Sequence, residues 1–186
     1  MKKALLVAAL CLVANTAFAG KWYAAGELET AENRQTHADS IGTSAILGYK
    51  DGDWQYSGKL STSQAEWGNG SISTSYEGRV KRSFNLGGYA KPYIQGRLGE
   101  KVSSTKNFPY YAVDTGLVVP VNSWFDVDFS YRYRNAFDAD NDYQTNRYGI
   151  EGKVKITDSD SVGLRYAQSY GDSETNSWRL QYTHSF

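Results

Sequence analysis

The chain has 186 residues, of which 20 are lysine or arginine and 20 are aspartate or glutamate, so its formal net charge is zero. This balance gives no support to nucleic-acid binding, which depends on a surplus of basic side chains. A single cysteine excludes a disulfide framework within the chain.

The N-terminal segment has the three parts of a secretory signal peptide. Two lysines follow Met1, residues 4–13 are apolar, and Ala17-Phe18-Ala19 forms a small-x-small cleavage site. An apolar run of ten residues is too short to cross a bilayer as a helix. We therefore expect residues 1–19 to be a cleaved leader and residues 20–186 to form one exported domain. No later apolar run is long enough for a transmembrane helix.

Beyond the leader, apolar and polar residues alternate in ten segments. Successive side chains of a strand point to opposite faces, so each segment predicts a β-strand with one apolar and one polar wall. Pro92 lies inside the fifth segment and predicts a bulge there. The segments cover Trp22–Asn33, Ile41–Lys50, Trp54–Glu66, Ile72–Phe84, Tyr89–Val102, Tyr110–Val121, Trp124–Ala136, Asn146–Thr157, Ser161–Tyr170 and Ser177–Phe186.

Two kinds of connector alternate between these segments. Short turns are expected at 51–53, 85–88, 122–123 and 158–160, and mostly longer loops rich in Asn, Asp, Ser and Gly near 35–40, 68–71, 103–108, 137–145 and 171–176. Both chain ends then lie on the short-turn side, as in bacterial outer-membrane barrels. The prediction is an all-β, up-and-down antiparallel transmembrane barrel of ten strands, with eight or twelve strands as alternatives.

The apolar faces are rich in aromatic residues. The last segment is the clearest, because Trp178, Leu180, Tyr182, His184 and Phe186 share one face and polar residues occupy the other. Aromatic residues near strand ends are typical of the interfacial girdles of membrane barrels. The alternative is a soluble β-sandwich or lipocalin-like barrel, in which the apolar faces would meet in one core.

The opposite faces gather most of the charged side chains in the predicted lumen. Fifteen basic and seven acidic residues fall there, an excess of eight positive charges. The basic residues predicted to line a pore are Arg79, Lys81, Lys91, Arg97, Arg132, Arg134, Arg147, Lys153, Arg165 and Arg179, and the acidic ones are Glu27, Glu29, Glu77, Asp126, Asp128 and Glu151. The rest of the inward set is Lys21, Lys50, Lys59, Lys101, Lys155 and Asp114.

Two functions fit such a lumen. A narrow barrel with basic walls attracts anions and repels cations, which predicts an anion-preferring passive channel for small acidic solutes or oligosaccharides. Ten strands are also close to the eight at which a barrel is filled by its own side chains. The alternative is therefore a closed structural or adhesion-type barrel that acts through its external loops.

The leader, the final strand ending in Phe186 and the Tyr-Arg-Tyr-Arg run at Tyr131–Arg134 resemble those of small bacterial outer-membrane β-barrels. More loosely, they resemble the oligogalacturonate-specific monomeric porins. That resemblance implies a narrow anion-selective pore with an arginine track, and a monomer. It also implies an assembly signal formed by Trp178, Leu180, Tyr182 and Phe186. The implied partners are outer-membrane lipid and lipopolysaccharide, the barrel-assembly machinery and periplasmic chaperones.

Enzymatic activity is not expected. The two histidines are His37, beside Asp39 and Ser40 in a polar loop, and His184 on the apolar face of the last segment. Alternate carboxylates in the loop 138–142 suggest a weak divalent-ion or lipopolysaccharide-bridging site, but the glycine and distal glutamate of an EF-hand loop are missing. We therefore predict no catalytic residues, no metal and no cofactor.

Overall fold

The computed structural model describes residues 20–65, 72–103, 107–137 and 143–186. The predicted leader, residues 1–19, and the acidic loop 138–142 lie outside the described residues. The ten strands are β1 Lys21–Asn33, β2 Asp39–Asp51, β3 Trp54–Ala65, β4 Ile72–Ser83, β5 Lys91–Ser103, β6 Asn107–Pro120, β7 Phe125–Ala136, β8 Gln144–Lys155, β9 Asp160–Gly171 and β10 Thr175–Ser185. No helix among the described residues is long and apolar enough to cross a membrane.

The strands close into an antiparallel up-and-down barrel. Each strand pairs with its neighbours in the chain, and β1 pairs with β10 from Tyr23 opposite Ser185 to Asn33 opposite Thr175. Closure leaves no unpaired strand edge, which is the condition for crossing hydrocarbon with β-strands. The predicted all-β barrel of ten strands is confirmed.

The predicted bulge at Pro92 is wrong. Strand β5 keeps one register along β6, from Lys91 opposite Val118 to Val102 opposite Asn107. The Pro92 carbonyl accepts a hydrogen bond from the backbone N–H of Phe84, the first residue beyond β4. In an antiparallel strand the N–H and C=O of one residue point to the same side. An N–H at position 92 would therefore point towards Phe84, beyond the end of β4, so its absence in proline removes no hydrogen bond from the β4–β5 pairing.

The predicted contrast in connector length is only partly right. Strand β1 begins and strand β10 ends at one end of the barrel, here called the turn end, with connectors 52–53, 84–90, 121–124 and 156–159. The other, the loop end, has connectors 34–38, 66–71, 104–106, 137–143 and 172–174. Residues 84–90, predicted as a strand end and a tight turn, form a connector in which Gly87 and Gly88 have positive φ and Tyr89 is 85% exposed. Tyr89 continues the alternation of β5, although it lies before the first residue of that strand. The predicted start of the fifth strand at Tyr89 was therefore too early, since β5 begins at Lys91.

The large apolar side chains mostly point outward and the charged side chains inward. Strand β6 is an exception near the loop end, where Phe108 and Tyr110 are buried on the inner face against Ala136. Large side chains such as Leu60, Tyr76, Val80 and Leu164 are exposed on the outer wall, as a lipid-facing surface requires. Aromatic rings pack against each other there, for example Tyr166 and Trp178 with centroids 4.9 Å apart. The described residues thus place the aromatic wall outside.

Inward-facing tyrosines lie over inward-facing glycines on the neighbouring strand. The ring of Tyr93 covers Gly116, and that of Tyr110 covers Gly99. A Cβ atom at Gly116 would lie 2.4 Å from the ring Cζ of Tyr93. That ring cannot move freely, because its hydroxyl donates to Asp128 at 3.1 Å and Lys81 Nζ lies 3.7 Å from its centroid.

We expect Gly116→Ala to lower the free energy of unfolding by about 1–3 kcal/mol, since the new methyl group would displace the Tyr93 ring. Gly96→Ala is the matched control, because Gly96 faces outward and a Cβ there meets nothing within 4 Å. Denaturant unfolding of both variants in lipid vesicles, followed by tryptophan fluorescence, measures the difference. Equal stability of the two variants would contradict the packing.

Candidate functional site

All sixteen side chains predicted to line a pore lie on the inward face of their strands, and so do the six others in the predicted inward set. Their depth differs. Lys91, the first residue of β5, is exposed at the turn end, whereas Glu27, Asp114, Arg165 and Arg179 are buried. The functional question is therefore how the charges at mid-depth are arranged.

A first ion-pair network follows the wall formed by β4 to β7. Glu77 pairs with Arg79 and, at 2.9 Å, with Arg97. Asp114 pairs with Arg97 and, at 2.6 Å, with Arg132. Three arginines thus share two carboxylates, and the network keeps a surplus of one positive charge. Tyr110 and Gln95 complete it, since they donate to Glu77 and Asp114 at 3.0 Å and 2.8 Å.

A second network follows the facing wall. Glu27 on β1 pairs with Lys59 on β3 and, at 3.2 Å, with Arg179 on β10. Arg179 also pairs with Glu151 on β8 at 2.7 Å. Nearby, Arg147 on β8 reaches Glu29 on β1 at 2.5 Å. Except for Arg179 with Glu27, which joins the neighbouring strands β10 and β1, these contacts join strands that are not neighbours in the barrel, so they run through the lumen.

Several basic residues stand directly opposite one another across neighbouring strands. The register pairs Arg79 with Arg97, Arg132 with Arg147 and Arg165 with Arg179. Like charges directly opposite are unfavourable in a sheet. Five of these six arginines pair with a carboxylate, and among the described residues Arg165 alone does not. The sequence does not reveal these pairs, because they depend on register.

Towards the loop end the lumen widens into a cavity of about 240 Å³. One side is formed by serine hydroxyls of β2 to β4, here called the serine wall. The facing side, here called the arginine wall, belongs to β7, β8 and β10. The serine wall consists of Ser40, Ser44, Ser61, Ser63, Ser73 and Ser75, and the arginine wall of Arg132, Arg134, Arg147 and Arg179.

The serine wall is absent from the residues predicted to form the site. Its signal is present in the sequence, where Ser61, Ser63, Ser73 and Ser75 occupy alternate inward positions of two neighbouring strands. Small side chains leave the space that bulky arginines fill on the other side. Two pairs of these hydroxyls are hydrogen-bonded to each other, at 3.0 Å for Ser44 with Ser61 and 2.8 Å for Ser63 with Ser73.

Two bases that border the cavity pair with no described carboxylate. Arg134 donates to the Tyr143 hydroxyl at 2.7 Å, and its guanidinium carbon lies 5.2 Å from the centre of the Tyr110 ring. Lys101 also lines the cavity. Their charges stay available to a solute. Arg165 was predicted to line the pore but is not part of this cavity, and it lies against Gly149 and Ser130.

His37 and Ser40, which are close in the sequence, contact other residues in the structure. His37 Nδ1 contacts Glu32 Oε1 at 2.9 Å, and the Ser40 hydroxyl donates to the Ala31 carbonyl at 3.3 Å. His184 contacts Asp160 at 2.8 Å near the turn end. Neither histidine forms a hydrogen bond with a described serine or threonine hydroxyl.

Comparison with known proteins gives structural matches alone. No protein-family model matches the chain, and no curated protein matches it either. The NanC porin matches with a TM-score of 0.50 at 14% identity, covering 89% of this chain and 100% of the porin. The translocator domain of the autotransporter NalP from Neisseria meningitidis matches with a TM-score of 0.52 at 10% identity, over 100% and 95% of the two chains. The β domain of the Bordetella autotransporter BrkA matches at 0.52 and 12%, over 90% and 100%.

The chain has the fold of a small outer-membrane β-barrel. At these identities the likeness concerns the fold alone, and it extends to a porin and to autotransporter domains. The function has to be argued from the side chains in the lumen.

We expect Glu77→Gln to lower the free energy of unfolding by about 3 kcal/mol, because Arg79 and Arg97 would lose a shared buried carboxylate. Glu100→Gln on β5, at an exposed outward position, removes the same charge and is the control. Urea unfolding in vesicles measures both. A loss of stability no larger for Glu77→Gln than for the control would contradict the network.

Proposed function

We propose that the protein is a passive channel of the bacterial outer membrane that admits small anions in preference to cations. The observation that carries this proposal is the charge of the lumen, where fifteen inward bases face seven inward acids among the described residues. Low-dielectric walls focus the field of such charges along a narrow lumen. The field raises the local concentration of anions and lowers that of cations.

The distribution of ion-pair partners among the charged side chains of the lumen supports the same proposal. Glu27, Glu77, Asp114 and Glu151 are each held by at least one base, and mostly by two. They neutralise the bases at mid-depth without cancelling the surplus. Bases without a carboxylate, such as Arg134, then determine the sign of the potential that a solute meets.

The cavity suggests which solutes fit. A guanidinium binds carboxylate or phosphate oxygens through two parallel hydrogen bonds, and the facing serines can exchange hydrogen bonds with hydroxyl groups. Small organic anions and acidic oligosaccharides carry both kinds of group. We propose these as the solutes, with entry from the loop end.

Export and assembly belong to the same proposal. Residues 1–19 would direct the chain out of the cytoplasm, and periplasmic chaperones and the barrel-assembly machinery would deliver it to the membrane as a monomer. The outward face of β10 supports a role in assembly, since Trp178, Leu180 and Tyr182 are each about half exposed there, and Phe186 beyond the strand is 71% exposed. Lipid and lipopolysaccharide would cover this face.

A closed barrel that acts through its loops is the second candidate. The ion pairs favour it, because Arg147 with Glu29 and Arg179 with Glu151 join strands that are not neighbours and cross part of the lumen at mid-depth. In that case the cavity at the loop end would be a blind pocket.

Reconstitution in planar bilayers separates the two candidates. We expect small channels whose reversal potential in a salt gradient shows anion preference. In the double variant Arg134→Gln/Lys101→Gln the anion-to-cation permeability ratio should fall about twofold or more, because two unpaired charges leave the cavity. Arg82→Gln is the matched control, since Arg82 faces outward against Trp54.

Absence of conductance from correctly folded protein would support the closed barrel. A cation preference, or a double variant that keeps the full preference, would contradict the proposed role of the lumen charges. Arg134 and Lys101 suit this test better than Arg132, because Arg132 also holds Asp114 in the first network.

A further inference from the structure

Arg165 is a buried charge at mid-depth in the lumen that has no ion-pair partner among the described residues. It lies near the middle of β9 and is only 8% exposed. Its Nη2 donates to the Ser130 hydroxyl at 2.5 Å, and its buried Nε has no hydrogen-bond partner.

The arginines that act on Arg165 outnumber the carboxylates that do so, which are Glu151 and Asp128. Arg179 stands directly opposite on β10, and the arginines that act on it most strongly are Arg179, Arg147 and Arg132. Glu151 is directly opposite on β8, but its carboxylate is taken by Arg179 at 2.7 Å. A guanidinium is therefore buried next to like charges.

A further negative charge that pairs directly with Arg165 would stabilise this arrangement. Burial of an unpaired ion is costly, and an arginine cannot lose its proton to escape that cost. The glycine at position 149 leaves space for the guanidinium, since a Cβ atom there would lie 2.6 Å from Arg165 Nε and Nη2. The position of this side chain is thus specified although no described carboxylate forms an ion pair with it.

We propose that Arg165 holds a small monovalent anion, of the size of a halide, between β7, β8 and β9. The site deepens the proposed function and rests on it for access through the lumen, but its occupancy is an equilibrium property. Close packing against Gly149 and Ser130 favours a single-atom ion over an oxyanion. The neighbouring Glu151 carboxylate limits the favourable charge of the ligand to one.

Bromide is the probe of choice, because its anomalous scattering distinguishes it from water. Crystals of the leaderless barrel grown in sodium bromide should show an anomalous peak within hydrogen-bonding distance of the Arg165 guanidinium and the Ser130 hydroxyl. A lumen without a peak at this level, or an Arg165 turned onto Glu151, would overturn the proposal. This test needs no variant.

Line broadening of chloride-35 in NMR measures the same site in solution, with bromide as competitor. Arg165→Gln should weaken the chloride affinity about tenfold or more, the effect of losing a hydrogen bond to a charged group. Arg82→Gln should leave it unchanged. A chloride affinity that Arg165→Gln does not alter would overturn the proposal.

The outcomes also separate this site from the proposed channel. A halide at Arg165 in a barrel that conducts nothing would uphold the site and contradict the channel. Anion-selective conductance with no halide at Arg165 would do the opposite.

Discussion

In hydrocarbon no water is present to satisfy a backbone N–H or C=O group, so a sheet can cross a membrane only if it closes on itself. The pairing of β1 with β10 meets this condition, and the rest of the structure follows from it. Closure divides the side chains into an outer and an inner set with a period of two. Aromatic and aliphatic residues can then face lipid while the charged residues face one another.

The lumen is too narrow to hold unpaired charges at every depth. Ten strands leave a lumen narrow enough for ion pairs to join strands that are not neighbours, as Arg147 and Glu29 do. Such pairs stabilise the barrel and narrow it at the same time. Where small serines replace large side chains, at β2 to β4, the lumen opens into a cavity. The size of the inward side chains at each depth, more than the number of strands, thus determines where the lumen is open.

The sequence was sufficient for the strands and their faces, because both depend on local alternation. It was insufficient where an answer depends on register between strands. The opposition of Arg165 and Arg179 and the isolation of Arg165 could not be predicted from spacing along the chain. Local rules also failed at Pro92, whose missing donor lies beyond the ladder of β4, and at Tyr89, which alternates in phase with β5 outside the sheet. The alternate serines of the serine wall are visible in the sequence. That they border a cavity could not be predicted, because this depends on the arginines that face them across the lumen.

The most direct test of this account is which face of each strand meets lipid. The only cysteine is Cys11, in the predicted leader, so single cysteines for spin labels can be introduced into residues 20–186 without a competing thiol. Labels placed in turn at positions 75 to 80 of β4, in vesicles, should be accessible to oxygen dissolved in the bilayer at Tyr76, Gly78 and Val80, and protected from it at the positions between. Equal accessibility at all six positions, or accessibility of the aromatic face to a water-soluble relaxation agent, would contradict the assignment of the aromatic face to lipid and the charged face to the lumen.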